Sequence, residues 1–295
     1  MRVTKAATEV LGAARIGMLA LRAGDMPLIN PAAFHFGAGS LWMTTSRFAV
    51  KTVLARKDPR AAFFVDGGSR AVLLRGRLEV FDPLSVSDEV HALLGGPALY
   101  LGMAGYTLKN APFIAGYVLD LMRLPRQWMP YNRVVLRLVP ADADLVELPD
   151  FPDALAARVP AVPAEISRRL AGISRGYACW LDGNRPVIEP ALWEVDHGRV
   201  YVSPIGTSRP RHGSGGALVV ESHHRYRPSL MVGACIRGAF GSGGGTQLIA
   251  QRYDIEEDRV PHSLELAPER VTAWRGFAIT SAVPRGARQL RLAEG

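Results

Sequence analysis

The chain has 295 residues, of which 48% are hydrophobic and 21% are charged, a composition typical of folded globular protein. This length is sufficient for two domains of about 100–150 residues, and the composition excludes a disordered chain. The formal net charge of +8 suits nucleic acid, an anionic membrane or a phosphorylated ligand, and charge alone does not choose among them.

Two cysteines, Cys179 and Cys235, are too few for a disulfide framework or a thiol-rich metal site, which favours a reducing cytoplasm. Glu9 and Arg15 interrupt the apolar part of the N-terminal stretch, so no signal peptide is predicted. The most apolar region, residues 95–124, contains no uninterrupted run long enough to span a membrane. It is compatible with a buried or interfacial pair of helices.

The first half of the chain is predicted to be a meander of short strands with one helix inserted. A helix is predicted over residues 4–14, strands over 16–21, 27–36 and 41–44, a helix over 47–57, and strands over 60–65 and 71–81. Residues 82–124 are predicted to be helical. A further strand over residues 134–139 is expected to end at Pro140.

The second half repeats this order, with strands predicted over residues 176–180, 186–195 and 199–203. The segment PLINP, from Pro27, matches PVIEP, from Pro186, at an offset of 159, and the same offset superposes residues 41–44 on residues 200–203. Further along, Arg75-Gly76 pairs with Arg237-Gly238, and Pro140 pairs with Pro268. Two copies of a unit of about 130 residues therefore fill the chain.

The repeat predicts the domain boundaries. The first domain covers residues 1–147 and carries the helical insertion at 82–124. Residues 148–165 are rich in proline and are predicted to form a linker, and residues 166–295 form the second domain. Glycine-rich segments at 213–216 and 241–245 lack the lysine and helix that a phosphate loop needs, so they are predicted to be hairpin loops.

Hydroxyl and basic side chains cluster where the third strand is expected to run into a helix. Thr44, Thr45 and Ser46 lie at the junction, with Ser46 as the predicted N-cap, and Arg47 and Lys51 follow four residues apart. Two cations repel at this spacing and oppose the positive helix end, and a bound anion would remove both penalties. The stretch therefore predicts a phosphate or carboxylate site, with a solvated surface helix as the alternative.

The second copy departs from the first at this point. It has GTSRPRHGSGGA, in which Pro210 and several glycines should prevent a helix. We therefore expect one anion site in the chain. The histidines His212, His223 and His224 have no carboxylate or cysteine at ligand spacing, so no metal site is predicted.

Four segments resemble the pyridoxamine-5′-phosphate-oxidase-like family, the flavin-binding split β-barrels: RIGMLAL, PLINPAAFHF, LWMTTSRFAVKTVLARKDPRAAFFV and VLLRGRLEVF. The resemblance covers most of residues 10–81 and, more weakly, 174–280. In that family a hydroxyl-rich strand end and a following lysine hold the phosphate of FMN, which implies this role for Thr44, Thr45 and Lys51. The family often has arginine directly before the lysine, where this chain has Val50, and Arg47 could replace it from one turn away.

The resemblance implies a mainly β (α+β) fold of two split β-barrels in tandem, with peripheral helices. Family members usually dimerise around the flavin, so the two barrels are expected to form an intramolecular pseudo-dimer. The closing strand of the second barrel carries Trp274 and Arg275, which gives a hypothesis of one composite cofactor site: Thr44, Thr45, Ser46, Arg47 and Lys51 from the first barrel, Trp274 and Arg275 from the second. A further homodimer is left open.

The implied function is an FMN-dependent oxidoreductase acting on an unidentified small molecule, with no catalytic side chain predicted. Alternatives are a deazaflavin-dependent reductase, and a non-catalytic flavin- or haem-binding or interaction protein. Tyr100, Tyr106 and Lys109 in the helical insertion are candidate substrate contacts, with a packing or dimerisation layer as the competing interpretation. The basic run HHRYRPS is short and isolated, so no specific nucleic-acid partner is predicted.

Overall fold

The computed structural model describes residues 3–84, 86–150, 152–206, 208–224 and 226–284, except for the side chains of residues 86–95. The chain divides into two compact units. The first comprises Met1–Ala23, Asn30–Pro149 and Arg225–Pro228, and the second comprises Gly24–Ile29, Asp150–His224 and Ser229–Gly295. Each unit contains one β-barrel.

The first barrel has six antiparallel strands that close on themselves in the order β1-β2-β3-β6-β5-β4. Closure leaves no unpaired sheet edge. The strands are β1 Ile16–Ala23, β2 Met26–Gly37, β3 Ser40–Ser46, β4 Arg60–Asp66, β5 Arg70–Phe81 and β6 Arg133–Glu147. Alternate residues of each strand, including Leu19, Phe34, Leu41, Phe63 and Leu136, fill its interior.

Four helices belong to this unit: α1 Lys5–Ala13, α2 Val50–Lys57, α3 Val86–Lys109 and α4 Ala111–Leu119. Thr4 caps α1 by accepting a hydrogen bond from Ala7 N at 3.2 Å. The predicted N-cap of α2 at Ser46 is wrong, because the helix begins at Val50 with Ala49 in the cap position. Ser46 is the last residue of β3 and pairs with Arg133, so the strand extends two residues beyond its predicted end.

The second barrel has the same strand order, β7-β8-β9-β12-β11-β10, with β11 paired to β12. Its strands are β7 Gly176–Asp182, β8 Arg185–Asp196, β9 Arg199–Pro204, β10 Gly215–Ser222, β11 Val232–Phe240 and β12 Leu264–Arg275, and β13 Ala278–Ala282 adds to β12 at the outside. Residues 208–214 contain no helix, as predicted from Pro210. The fold is thus mainly β with two barrels in tandem, as predicted.

Two further helices lie in the second unit: α5 Ala164–Leu170 and α6 Thr246–Tyr253. The prediction of a hairpin loop at residues 241–245 is wrong, because this segment leads from β11 into α6. Gly245, with φ of 74°, provides the left-handed turn at the start of α6. The proline-rich segment is packed, since Ala157 and Val159 are buried in the core of the second barrel.

Both barrels carry the same β-bulge. The register shifts between Arg75 and Gly76 opposite β6, and between Arg237 and Gly238 opposite β12. A Cβ on Gly76 would collide with the carbonyl of Val139, so only glycine fits there. The bulge also lets β6 continue through Pro140 to Glu147, so the predicted strand end at Pro140 is wrong.

The predicted helical insertion is made of α3 and α4, which pack on the outer side of the first barrel. Gly102 lies against the ring of Trp42, and Gly105 lies against the ring of His35. A Cβ at either glycine would overlap the aromatic ring, so these positions allow the helix to approach the strands closely. The side chain of Tyr106, in the next turn, is thereby held next to the end of β3.

Candidate functional site

The end of β3 directs its two threonines to opposite faces of the barrel wall. Thr45 shares the face of Leu41 and Met43, which belong to the interior, whereas Thr44 lies on the outer face. The hydroxyl of Thr44 lies 3.2 Å from the hydroxyl oxygen of Tyr106. The hydroxyl of Thr45 is buried, and among the described residues it has no hydrogen-bond partner. The two threonines therefore do not act on one face as a hydroxyl pair.

Arg133, the first residue of β6, completes the outer face of this strand end. Its Nη2 donates to the hydroxyl oxygen of Thr44 at 2.6 Å and to the Thr44 carbonyl oxygen at 3.1 Å. Its guanidinium lies 5.4 Å from the centre of the Tyr117 ring. Arg133 could not be predicted from the sequence, because it reaches this site only through the strand register that pairs it with Ser46.

Lys51 lies in the first turn of α2 and is half-buried. Burial and the nearby charge of Arg133 lower the pKa of Lys51 to about 8. Within the described part of the chain, neither Lys51 nor Arg133 forms an ion pair with a carboxylate. Two cations held together without an acid create a local positive potential that an anion would neutralise. The structure thus brings Thr44, Lys51, Tyr106 and Arg133 into one cluster, the Lys51–Arg133 site.

Arg47 and Ser46, the other residues predicted around the phosphate, have internal partners. Nη2 of Arg47 lies 2.8 Å from Oδ1 of Asp82, and Nη2 of Arg56 lies 3.4 Å from Oδ2 of the same carboxylate. The hydroxyl of Ser46 donates to the carbonyl oxygen of Gln127 at 2.5 Å and accepts from Phe48 N at 3.2 Å. A direct contact of Arg47 or Ser46 with a ligand stays a prediction.

Of the three predicted substrate contacts, the structure brings Tyr106 to the site. Tyr106 is 5% exposed and meets Thr44, whereas Tyr100 is 73% exposed on the helix surface. Lys109 donates from Nζ to the carbonyl oxygen of Leu11 at 2.6 Å, close to the C-terminal end of α1. Its ammonium lies 4.1 Å from the centre of the Phe34 ring, and burial together with Arg15 lowers its pKa to about 8. The hydrogen bond from Lys109 therefore links α3 to α1.

Trp274 and Arg275 lie on β12 of the second unit. The Trp274 ring packs on Gly233 of the neighbouring strand, where a Cβ would collide with the indole. Nη1 of Arg275 lies 2.6 Å from Oε2 of Glu165, so its charge is paired within the same unit. A contribution of Trp274 and Arg275 to the cofactor site stays a prediction.

At the matching strand end of the second barrel, the described residues form no counterpart of the Lys51–Arg133 site. Ser203, the counterpart of Thr44, is fully buried, and the segment that follows lacks the helix that carries Lys51. Glu189 lies against this segment and accepts a hydrogen bond from Ser208 N at 3.3 Å. Burial raises the pKa of Glu189. A carboxylate at this position would disfavour a bound anion when ionised.

Metal-ligand clusters and membrane-spanning helices are both absent from the described residues. No group of three or more histidine, cysteine, aspartate or glutamate side chains could hold a metal ion. No helix in the described ranges has both the length and the apolar content needed to cross a membrane. In the histidine run, His223 Nδ1 lies 3.1 Å from Glu221 Oε1.

Part of the first unit is similar to a known protein family. Residues 4–98 match the family model described as pyridoxamine 5′-phosphate oxidase. These residues include β1 to β5 and α2, and so contain both Thr44 and Lys51. The match agrees with the sequence resemblance over this part of the first barrel, and the chain has two six-stranded barrels in tandem.

Several solved structures are similar to about half of the chain. An FAD-binding protein from Mesorhizobium loti is 17% identical, with a TM-score of 0.36, over 50% of this chain and 96% of that one. A pyridoxamine 5′-phosphate oxidase-related, FMN-binding protein from Nostoc punctiforme is 16% identical, with a TM-score of 0.34, over 50% and 87%. A structure named F420 reductase is 19% identical, with a TM-score of 0.32, over 48% and 98%. No curated protein matches the chain.

Proposed function

We propose that this protein is an FMN-dependent oxidoreductase and that its first barrel binds the flavin phosphate at the Lys51–Arg133 site. The observation that carries the proposal is the pair of cations at the end of β3: Arg133 donates to the Thr44 hydroxyl at 2.6 Å, and burial together with the charge of Arg133 lowers the pKa of Lys51. The described residues supply no carboxylate to either cation. Such a pair is unfavourable until an anion lies between the charges.

A phosphate monoester fits this cluster in charge and hydrogen bonding. It carries close to two negative charges at neutral pH and three acceptor oxygens. Lys51 and Arg133 match that charge, and both donate hydrogen bonds only. The hydroxyls of Thr44 and Tyr106 lie next to the guanidinium and can donate to further oxygens. FMN carries such a phosphate, and the match to the oxidase family covers β3 and α2.

When bound, the flavin supplies the hydride or electron transfer, and the protein supplies binding, orientation and electrostatics. The side chains of α3 and α4 at the site, Tyr106 and Tyr117, present aromatic surface and hydroxyl groups beside Arg133. Burial raises the pKa of Tyr117, so its hydroxyl stays protonated at neutral pH and can act as a donor. We assign no side chain as an acid or base in the reaction.

The experiment that tests the proposal is the visible absorption spectrum of the purified protein, followed by mass spectrometry of the released cofactor. We expect a flavin spectrum and the mass of FMN. A deazaflavin mass would identify the protein as a deazaflavin-dependent reductase, and a haem spectrum would identify a haem protein. A colourless protein that takes up none of the three would overturn the proposal and favour an interaction protein.

The Lys51→Met variant connects the cofactor to the site. Loss of one charge-assisted hydrogen bond should weaken FMN binding by about tenfold or more, measured by quenching of flavin fluorescence. Lys57→Met, in the exposed last turn of the same helix, is the matched control and should retain wild-type affinity. If Lys51→Met binds FMN as tightly as Lys57→Met, the flavin phosphate does not lie at this site.

The composite site with Trp274 and Arg275 is part of the proposal and has a separate test. Arg275→Met and Glu165→Gln both break the ion pair between these residues, but only the first removes a cation. If Arg275 also contacts the cofactor, Arg275→Met should weaken FMN binding more than Glu165→Gln. Equal affinities in the two variants, together with wild-type affinity in Trp274→Phe, would confine the cofactor site to the first barrel.

A further inference from the structure

The outward side of α3 and α4 carries a continuous row of exposed apolar side chains. Leu108 is 78% exposed, Leu119 is 74% exposed and Met122 is 95% exposed. The row, called here the apolar face, consists of Tyr100, Leu101, Ala104, Leu108, Ala111, Ala115, Val118, Leu119 and Met122. Its members follow one another mostly at intervals of three or four residues, which places them on one side of a helix.

The two helices form one nearly continuous stretch beneath this face. Asn110 N donates to the carbonyl oxygen of Tyr106 at 3.0 Å, and Ile114 N donates to the carbonyl oxygen of Asn110 at 2.9 Å. The helical hydrogen bonding therefore crosses the junction between α3 and α4. From Pro97 to Leu119 the stretch is about 35 Å long at 1.5 Å per residue.

The opposite side of this stretch is already used for packing on the first barrel. Gly102 meets Trp42, Tyr106 meets Thr44, and Asn110 donates to the carbonyl oxygen of Phe34 at 3.2 Å. A surface helix with one side buried normally presents charged or polar residues on the other. Here the outward side is apolar apart from the exposed Thr107, which is the arrangement of a helix with a second partner.

The charges around the face indicate what kind of partner it fits. Residues 97–132 contain four charged residues: Lys109, Asp120, Arg123 and Arg126. Lys109 donates a hydrogen bond to the carbonyl oxygen of Leu11. The side chain of Asp120 is 0% exposed and forms an ion pair with Arg227. Arg123 and Arg126 are exposed at the end of the face, next to Met122. The exposed charge here is therefore entirely positive.

We propose that the apolar face docks on the surface of an anionic lipid bilayer. The leucine, valine and methionine side chains would enter the boundary between head groups and acyl chains, and Arg123 and Arg126 would contact lipid phosphates. Within residues 97–132 the one acidic residue is Asp120, which is already paired with Arg227, so neither arginine has an acidic partner in this segment. Burying a cation without a partner is costly, whereas an anionic lipid supplies that partner.

Vesicle co-sedimentation tests the proposal with the full chain. We expect binding to phosphatidylcholine vesicles containing phosphatidylglycerol, and about tenfold weaker binding to phosphatidylcholine alone. The double variant Leu108→Glu and Leu119→Glu should lose binding to both vesicles. Ile279→Glu, at a 55% exposed position on β13, is the matched control and should bind like the wild type. Arg123→Gln with Arg126→Gln should weaken binding to the anionic vesicles and change little on the neutral ones.

All of these changes lie at exposed positions, and circular dichroism and thermal unfolding verify that each variant is folded. Absence of binding to anionic vesicles by the wild-type chain would overturn the proposal. So would equal binding by the wild type and the double leucine variant. A soluble dimer that dissociates in the double variant would show that the face joins two copies of the chain. The test needs no flavin, so its outcome is independent of the proposed function.

Discussion

Arg133 donates from Nη2 to the hydroxyl oxygen of Thr44 at 2.6 Å, and so joins the first residue of β6 to the threonine-rich end of β3. The bond fixes the guanidinium near the helix that carries Lys51, and burial together with the charge of Arg133 lowers the pKa of Lys51. The barrel register therefore contributes to the positive potential of the site, since Arg133 lies on β6 and Lys51 on α2.

Arg133→Met should weaken FMN binding by about tenfold or more, because it removes a cation and its charge-assisted hydrogen bonds. Arg137→Met is the matched control on the same strand, since the guanidinium of Arg137 lies 5.2 Å from the centre of the Trp42 ring. Flavin fluorescence titration measures both affinities. Equal losses in the two variants would assign the effect to barrel packing rather than to phosphate binding.

The affinity for FMN should fall as the pH rises above about 8. Lys51 has a pKa of about 8 in the free protein, so above this pH a proton must be taken up before the ammonium can contact a phosphate. The loss should approach about tenfold per pH unit while the bound form stays protonated. Lys51→Arg keeps its charge throughout this range and should show little pH dependence. Titrations between pH 7 and pH 10 would contradict the assignment if both proteins respond alike.

Without cofactor, Lys51→Met should be more stable than the wild type at pH 7, by about 1 kcal/mol after discounting for partial exposure. Below the lowered pKa of about 8 both states carry the proton, so the native state bears the full cost of the half-buried cation. As the pH rises from 8 towards the ordinary lysine value of 10.5, the native state loses its proton first and the wild type recovers stability. Urea unfolding at pH 7 and pH 10 should therefore show a shrinking difference, and a growing one would contradict the sign.

Arg47→Met should lower the free energy of unfolding by about 1–3 kcal/mol and leave FMN affinity nearly unchanged. Arg47 and Arg56 share the mostly buried carboxylate of Asp82, so removing Arg47 leaves that charge half-compensated. The Arg47→Met and Asp82→Asn double-mutant cycle measures the coupling by urea unfolding. A drop in FMN affinity as large as that of Lys51→Met would instead show that Arg47 leaves Asp82 and contacts the phosphate.

Gly102→Ala should destabilise the packing of α3 and weaken FMN binding, because the added methyl group would overlap the Trp42 ring and displace Tyr106 from Thr44. We expect a loss of about 1–3 kcal/mol in the free energy of unfolding. Gly12→Ala in α1 is the control, since its added carbon meets nothing within 4 Å and alanine favours the helix. A stabilising effect at both positions would contradict the close contact.

The strand pattern and the repeat were accessible from the sequence, because alternation of apolar residues follows directly from burial on one face of a strand. The paired Arg-Gly dipeptides correctly indicated two copies, and they now prove to be equivalent bulges. Several elements of the second unit were not predicted with their bounds: α5, β10, β11, α6 and β13. β13 is short and largely exposed, so it has no apolar alternation, and the glycines before α6 hid the start of that helix.

The position of the candidate site could be predicted from the sequence, but not all of the residues that form it. Thr44 and Lys51 are close in sequence, so local spacing found both. Arg133 lies more than eighty residues away, and only the pairing of β3 with β6 places it there. Asp82 likewise takes Arg47 as its partner through tertiary packing. Ser46 was assigned to the helix start because a strand end and an N-cap favour the same residue types.

The two bulges remain where the two strand ends have diverged. Gly76 and Gly238 each face a carbonyl group that would collide with any larger side chain, so substitution at either position is opposed by barrel closure itself. The end of the third strand carries no such constraint: the first copy has Thr44 and Lys51 there, whereas the second has the buried Ser203 and Pro210 at the matching positions. After a gene duplication, both copies must keep the residues that close the barrel, whereas only one copy needs to keep the residues of the binding site. The second barrel is then free to acquire a different role.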